Sequence, residues 1–198
     1  MSDNAHEQPN ENPYTAPPSA PGLTQSVPTE STEKQHLRAF VGSKAEYYLQ
    51  KWSPSVEHSG HSPGFNWAAF LLSGLWLPYR KMYRVATIFY GIIIVESIAE
   101  EALFVRILGQ AETPAVLGRV VGLVAAAICG TYGNRWYLSH ARKVISDVHA
   151  QGLEEHAAVE ILSKRGGTSL GSSLGFFLLF MVMVFAVFIA LELLFYQL

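Results

Sequence analysis

Three glutamates near the end of a long apolar segment are the residues whose types and spacing most suggest chemistry. Glu96 and Glu100 are four residues apart, which places them on one face of a helix, and Glu101 follows directly. An ionisable side chain at membrane depth indicates a functional site when a partner can be named. Arg106 and Arg119 are the candidate partners, so the sequence predicts an intramembrane polar cluster of these five residues.

The sequence leaves three interpretations of this polar cluster. Its groups lie in the outer headgroup zone and satisfy one another, or they line a proton or ion path, or they form a divalent-metal or catalytic pair. Two carboxylates on one helix are a weak metal signal without a histidine or a third ligand. His140, His149 and His156 define no common site, and no nucleophile with a nearby base is recognisable. The sequence therefore predicts no catalytic residue, no metal site and no cofactor.

Aromatic and basic residues also cluster around the first apolar segment of the chain. This combination is typical of an interfacial belt, in which each basic residue near the surface contributes about 1 kcal/mol of attraction to anionic lipid headgroups. The belt either anchors the protein only, or it also recognises a lipid or a partner. Its predicted members are Trp67, Trp76, Tyr79, Arg80, Lys81, Tyr83 and Arg84.

The elements that carry these residues follow from the distribution of charge. Hydrophobic residues make up 49% of the chain and charged residues only 15%, and most charges lie outside four apolar segments. That unevenness predicts an all-α membrane protein, while the net charge of −2 gives no sign of nucleic-acid binding. The four segments are approximately residues 65–79, 83–108, 114–133 and 174–197.

The number of membrane spans depends on the first apolar segment. Its fifteen or so residues reach about 22 Å as a helix, short of a hydrocarbon core of about 30 Å. It is therefore either a short re-entrant or interfacial element or a fourth spanning segment. We prefer three full transmembrane helices, because four would export the first basic cluster, whereas cytoplasmic flanks carry the excess of basic residues. That cluster consists of Lys34, Arg38, Lys44 and Lys51.

The polar parts of the chain are predicted to lie on the cytoplasmic side. Residues 1–39 are rich in Pro, Ser, Asn and Glu and are expected to form a disordered tail, followed by a helical membrane domain over residues 40–198. Residues 135–166 should form a cytoplasmic helical insert. In it the third membrane helix continues out of the membrane until Gly152, and Gly166-Gly167 ends a second short helix.

A short amphipathic helix should open the ordered part of the chain. Ser43 and Glu46 have the spacing of a capping box, in which each side chain bonds the other's backbone N–H. Tyr48 and Trp52 are four residues apart and give this helix one aromatic face. The Ser53-Pro54 pair is predicted to end it.

Several strings of residues resemble a known bacterial membrane family. FNWAAFLLSGLWLPYRKMY (residues 65–83) resembles the signature of the family catalogued as domain of unknown function 2628, and FVGSKAEYYLQKW (residues 40–52) is similar to its opening. GNRWYLSHARKVI (residues 133–145) is similar to a later element, and ILSKRGGTS (residues 161–169) extends the resemblance. The resemblance implies a multi-span inner-membrane protein and brings no activity, substrate or catalytic residue with it.

These observations lead to two hypotheses about function. The first is a non-enzymatic interaction or assembly component of the bacterial inner membrane, multi-pass and with a cytoplasmic N-terminus. Its partners would be the lipid bilayer, other proteins, or further copies of the chain bound through the membrane helices, and they would not include nucleic acid. The alternative is a small oligomeric transporter or ion-coupled permease that uses the intramembrane Glu and Arg residues.

Overall fold

The computed structural model describes residues 30–57, 63–110 and 112–196, and no strand occurs among them. The α-helices are α1 (Glu30–Val41), α2 (Ala45–Glu57), α3 (Trp67–Leu72), α4 (Trp76–Tyr79), α5 (Tyr83–Glu101), α6 (Ala115–His149), α7 (Glu155–Arg165) and α8 (Leu170–Tyr196). Two 3₁₀ turns, Gly42–Lys44 and Ser73–Leu75, join neighbouring helices, and a π-helical segment, Ala102–Ile107, continues α5. The all-α prediction is confirmed.

A compact helical region forms one end of the molecule, and we call it the cap. It consists of α1, α2, α7 and residues 133–149 of α6. Apolar and aromatic side chains recur along these helices at spacings of three and four residues, so each helix turns one face toward a common core. The buried side chains of that core are Leu37, Phe40, Val41, Tyr48, Trp52, Tyr137, Leu138, Ala141, Ile145, Val148, Ala158 and Leu162.

The first helix corrects the predicted extent of the tail. Residues 1–29 lie outside the described residues, but residues 30–39, predicted as part of a disordered segment, belong to α1. The reason is that Leu37 and Phe40 lie on the same face of the helix and are fully buried against α6 and α7. The composition of residues 1–39 suggested that the entropy cost of ordering would exceed the gain from burial. Burial of these two large apolar side chains offsets that cost.

The second helix continues through Pro54 to Glu57, so the prediction that Ser53-Pro54 ends it is wrong. Proline lacks the N–H that would bond the carbonyl of Gln50, four residues earlier. The hydroxyl of Ser53 donates to that carbonyl oxygen instead, at 3.1 Å. Glu46 does not close the predicted capping box either, because its carboxylate accepts a hydrogen bond from Arg38 Nε at 2.9 Å.

Among the described residues, two helices are long and apolar enough to cross a membrane by length and composition, α6 and α8. By this criterion two helices qualify as candidate spans, not the three or four that were predicted. Residues 67–79 are broken into α3 and α4 by the turn at Ser73, whose φ is +47°, and are too short. The helix α5 is long enough, but Arg84 together with the glutamates makes it too polar for the same criterion.

The helices α5 and α8 lie side by side and run in the same direction. Tyr83, at the start of α5, stacks on Phe176 with ring centroids 5.5 Å apart, and Tyr90 contacts Phe180 at 4.6 Å. The ion pair of Arg106 and Glu192, 3.6 Å, joins their far ends. The pair thus projects from the cap as one unit, while the first half of α6 leaves the cap with most of its apolar side chains exposed.

The end of α6 and the following helix agree with the sequence analysis. The predicted continuation of this helix through the polar segment is confirmed, because α6 runs without interruption to His149. Gly152 then adopts a φ of +64°, which a glycine adopts without steric cost, and α7 ends at Arg165, just before Gly166-Gly167. These turns fold α7 back onto α1 and α6.

Candidate functional site

A pair of buried asparagines fixes the short helix α3 on α6. Asn66 caps α3, because its Oδ1 accepts the backbone N–H of Ala69 at 2.9 Å, and its Nδ2 donates to Asn134 Oδ1 at 2.8 Å. The Nδ2 group of Asn134 in turn donates to the backbone carbonyls of Gly64 and Pro63, at 3.0 and 3.3 Å. Every polar atom of the asparagine pair therefore has a partner, which makes the junction rigid.

Two glycines of α6 allow this close approach. A Cβ added to Gly133 would lie 2.9 Å from the Cβ of Ala69, and one added to Gly130 would lie 2.6 Å from the ring of Phe65. The backbone N–H of Asn66 also donates to the carbonyl of Gly130 at 2.8 Å. The segment that begins at Asn66 is consequently held directly against the backbone of α6. This contact positions α4, which follows in the same segment, at the core of the cap.

At the end of α4, Arg80 is buried among three tyrosines, and we call these four residues the arginine cage. Arg80 is only 5% exposed. Its guanidinium carbon lies 4.7 Å from the ring centroid of Tyr48, 5.0 Å from that of Tyr137 and 5.8 Å from that of Tyr79. Its Nη2 donates to Tyr48 Oη at 3.1 Å. The next residue, Lys81, has a φ of +59°, and this turn ends α4 before α5 begins.

No carboxylate among the described residues compensates the charge of the arginine cage. Arg80 makes no ion pair with a carboxylate in the part of the chain that the structure describes. Burial raises the pKa of the Tyr48 phenol above its ordinary value, although Arg80 opposes that rise, so Tyr48 is neutral at physiological pH. Burying an ion costs several kcal/mol, and a desolvated cation–π contact returns about 2 kcal/mol, so the three rings offset part of that cost without neutralising the charge.

Hydrogen-bond donors in the arginine cage also lack protein partners. The Nε and Nη1 groups of Arg80 and the hydroxyl of Tyr137 are buried, and none of them has a hydrogen-bond partner of good geometry among the described residues. The guanidinium nevertheless lies close enough to the Tyr137 hydroxyl to oppose the rise in its pKa that burial causes. Buried polar groups are almost always paired in folded proteins, so three unpaired groups in one place call for an explanation. Chemically, the arginine cage presents a fixed positive charge and several donors, which is the arrangement that binds an oxyanion.

The predicted interfacial belt is divided by the fold. Trp76 is 1% exposed and packs on Tyr137, and Arg80 lies in the arginine cage, so these two face the protein interior. The tight turn at Ser73–Leu75 is the reason, because it directs α4 inward. Trp67 remains 66% exposed. The outer members of the belt are Trp67, Tyr83 and Arg84, which are exposed, and Tyr79 and Lys81, which are partly buried.

The predicted polar cluster is brought together only in part. Arg106 Nη2 lies 3.7 Å from Glu101 Oε1 and 3.6 Å from Glu192 Oε1. Glu96 and Glu100 lie one turn apart on α5. Arg119 is exposed on α6, and among the described residues it forms no ion pair with any of these glutamates. Sequence reasoning missed the role of Glu192, although a single charge in an apolar helix is a usable signal.

A chain of three polar side chains was also missed. His36 is fully buried on α1, with its Nδ1 2.9 Å from Nε2 of His149 and its Nε2 2.8 Å from Glu155 Oε1. It joins α1 to the end of α6 and the start of α7. No group of three or more His, Cys, Asp or Glu in the described part of the chain is arranged to hold a metal. Sequence spacing could not predict this chain of contacts. His36 is more than a hundred positions from the other two residues, and all three lie on different helices.

Comparison with known proteins connects this architecture to one family. The family profile described as "Protein of unknown function (DUF2628)" matches residues 36–143, from the buried histidine of α1 to the cap portion of α6. The resemblance stated from the sequence is thereby confirmed, although residues 161–169 lie beyond the match. Neither the curated proteins nor the solved structures contain a match to the chain.

Proposed function

The chain belongs to the DUF2628 family, whose function is unknown, and we propose from its geometry that it is a non-enzymatic interaction or assembly component of the bacterial inner membrane. In this proposal α6 and α8 cross the bilayer, and the cap lies in the cytoplasm together with the N-terminus. The more polar α5 crosses beside α8, because it connects the cap to the opposite end of α6. The exposed surface of the cap is then the surface that meets protein partners.

One observation carries the membrane part of the proposal, and it is the environment of α8. None of its most apolar stretch is buried inside the protein. The consecutive residues Phe177, Leu178 and Leu179 are 40%, 63% and 57% exposed, and successive residues of a helix point about 100° apart, so several faces of α8 are exposed. A helix that is apolar all round and unburied by protein is typical of a membrane span, since soluble proteins rarely expose apolar surface of that extent.

The contacts of α5 support its position beside α8. The hydroxyls of Tyr83 and Ser172 lie 2.9 Å apart at one end, and Arg106 reaches Glu192 at the other. From Ser172 to Glu192 a helix rises about 30 Å, the thickness of the hydrocarbon core. Glu101, Arg106 and Glu192 would then lie at the outer headgroup zone and satisfy one another there. This favours the first of the three interpretations of the polar cluster.

The distribution of basic residues supports a cytoplasmic cap. Exposed arginines and lysines cover the cap on several helices, whereas the turn of residues 109–114 between α5 and α6 contains neither. Cytoplasmic flanks of membrane helices carry the excess of Lys and Arg. The exposed basic residues of the cap are Arg38, Lys44, Arg135, Arg142, Lys143, Lys164 and Arg165.

The polar contacts of the cap support an interaction role rather than catalysis. The asparagine pair, the arginine cage and the chain around His36 each join different helices, and none includes a nucleophile activated by a base. The transporter alternative requires coupling between Glu96 and Arg119, for which there is no contact among the described residues. We therefore propose only the first function.

Site-specific photo-crosslinking in growing cells tests the interaction role. A crosslinking amino acid at Ser139 or Lys143, both exposed on the cap, is expected to give a discrete protein adduct of reproducible mass. The same group at Gln110, exposed in the turn between α5 and α6, is the matched control and is expected to give none. If cap positions give no adduct while the protein accumulates normally, the interaction role is wrong.

A further inference from the structure

We propose that the arginine cage is the binding site of a phosphate-type oxyanion, held by the guanidinium of Arg80 and the hydroxyl of Tyr137. The site is unrelated to the predicted polar cluster, which lies at the opposite end of α5. It adds a specific ligand to a protein whose proposed role otherwise concerns protein partners.

The first argument is the match between the unpaired groups and such a ligand. The Nε and Nη1 groups of Arg80 and the Tyr137 hydroxyl are donors without protein acceptors among the described residues, and no described carboxylate neutralises the guanidinium. An arginine fork is complementary to the oxygen atoms of phosphate, to which it donates short, charge-assisted hydrogen bonds. The three rings around it limit the approach of water, which strengthens the attraction to an anion.

The second argument is the position of the arginine cage along the molecule. Arg80 directly precedes the start of α5, where Tyr83 bonds Ser172 near the start of α8. These helix starts mark the level at which the cap meets the projecting apolar helices. Phosphate groups of lipids lie at that level of a membrane protein, so a headgroup can supply the oxyanion. A free phosphate from the cytoplasm is the other source of the same chemistry.

The surrounding residues provide an approach to the site. Lys81, which is partly buried, and Arg84, which is exposed, flank the site, and their charges raise the local concentration of anions. Of the three rings, that of Tyr79 is the most distant from the guanidinium and Tyr79 is the least buried residue of the arginine cage. Its ring is therefore the one that moves to admit the ligand, while Tyr48 keeps its hydrogen bond to Nη2.

Binding measurements on the full chain in a non-ionic detergent test the proposal. The probes are phosphatidylglycerol, phosphatidylcholine and inorganic phosphate, and the readouts are lipid retention by native mass spectrometry and the shift in the unfolding temperature. We expect phosphatidylglycerol or inorganic phosphate to bind. Arg80→Gln should weaken that binding about tenfold or more, because it removes the charged donor, whereas the matched control Arg135→Gln, at an exposed position of the cap, should change it by less than about threefold.

The Tyr137→Phe variant keeps the test decisive if Arg80→Gln does not fold. It removes only a hydroxyl that makes no hydrogen bond of good geometry among the described residues, so the fold should persist while affinity falls. Binding of phosphatidylglycerol but not phosphate identifies a lipid source, and binding of phosphate identifies a free anion. The proposal is overturned if neither probe binds, or if Tyr137→Phe and every folded Arg80 variant bind like wild type. The lipid source rests on the proposed membrane location, but the phosphate measurement does not.

Discussion

Replacement of Asn134 by aspartate is expected to destabilise the folded protein by about 4 kcal/mol, although the two side chains have the same shape. The change exchanges the Nδ2 donor for a charged oxygen that faces the carbonyl oxygens of Gly64 and Pro63, 3.0 and 3.3 Å away. Asn134 is fully buried, so water cannot solvate the new charge. The hydrogen bonds that attach Asn66 and α3 to α6 would be lost. The arginine cage would then no longer be held in position.

The measurement for Asn134→Asp is chemical denaturation in detergent, followed by tryptophan fluorescence. The indole N–H of Trp52 donates to the backbone carbonyl of Asn134 at 3.2 Å, so its emission reports directly on this junction. Gln151→Glu is the matched control, since it makes the same chemical change at an exposed position and should alter stability by less than about 0.5 kcal/mol. Equal stability of the two variants would contradict the role of the asparagine pair.

The substitution Gly166→Ala is expected to cost about 3 kcal/mol, by a steric rather than a polar mechanism. A Cβ at Gly166 would lie 2.6 Å from the carbonyl carbon of Phe40 and 2.9 Å from its Cα. Both are backbone atoms, so no side-chain rotation relieves the overlap. The adjacent hydrogen bond from Gly167 N to the Phe40 carbonyl, 2.7 Å, shows how closely the end of α7 approaches the end of α1.

Hydrogen exchange measured by mass spectrometry checks the Gly166→Ala prediction. Protection of α1 should fall by at least about tenfold, because the contact between α1 and α7 must open to admit the methyl group. Gly171→Ala on α8 is the matched control, since a Cβ there meets nothing within 4 Å, and α1 should keep its protection. Unchanged exchange of α1 in the Gly166 variant would show that the two backbones are not packed as described.

The sequence predicted the features of the fold that depend on local pattern. The apolar run of α8, the long course of α6 through the polar segment and the break at Gly152 follow from composition and glycine alone. The sequence-based predictions were wrong where a contact with a residue distant in sequence, or an unexpected local hydrogen bond, determines the structure. A hydrogen bond from a serine hydroxyl allows α2 to continue beyond Pro54. Contacts with α6 and α7 stabilise residues 30–39 as a helix.

The candidate site was predicted as a set of residues but not as an arrangement. Arg80 was recognised as one of several basic residues beside aromatic ones, which indicated the membrane surface. Its burial depends on a turn with Lys81 at positive φ and on tyrosines from two other helices, Tyr48 and Tyr137. No periodicity in one sequence reports on such contacts. That no carboxylate of the described residues pairs with Arg80 likewise becomes visible only once the three helices are packed together.

The central claim is that α6 crosses a bilayer with the cap on the cytoplasmic side, and labelling of single cysteines tests it most directly. In a Cys129→Ala background, which removes the only native cysteine, the variants Gln110→Cys and Gln151→Cys place thiols at exposed positions before and after α6. A membrane-impermeant maleimide should label the Gln110 variant only from outside the cell and the Gln151 variant only in inverted vesicles. Labelling of both variants from the same side would contradict the account.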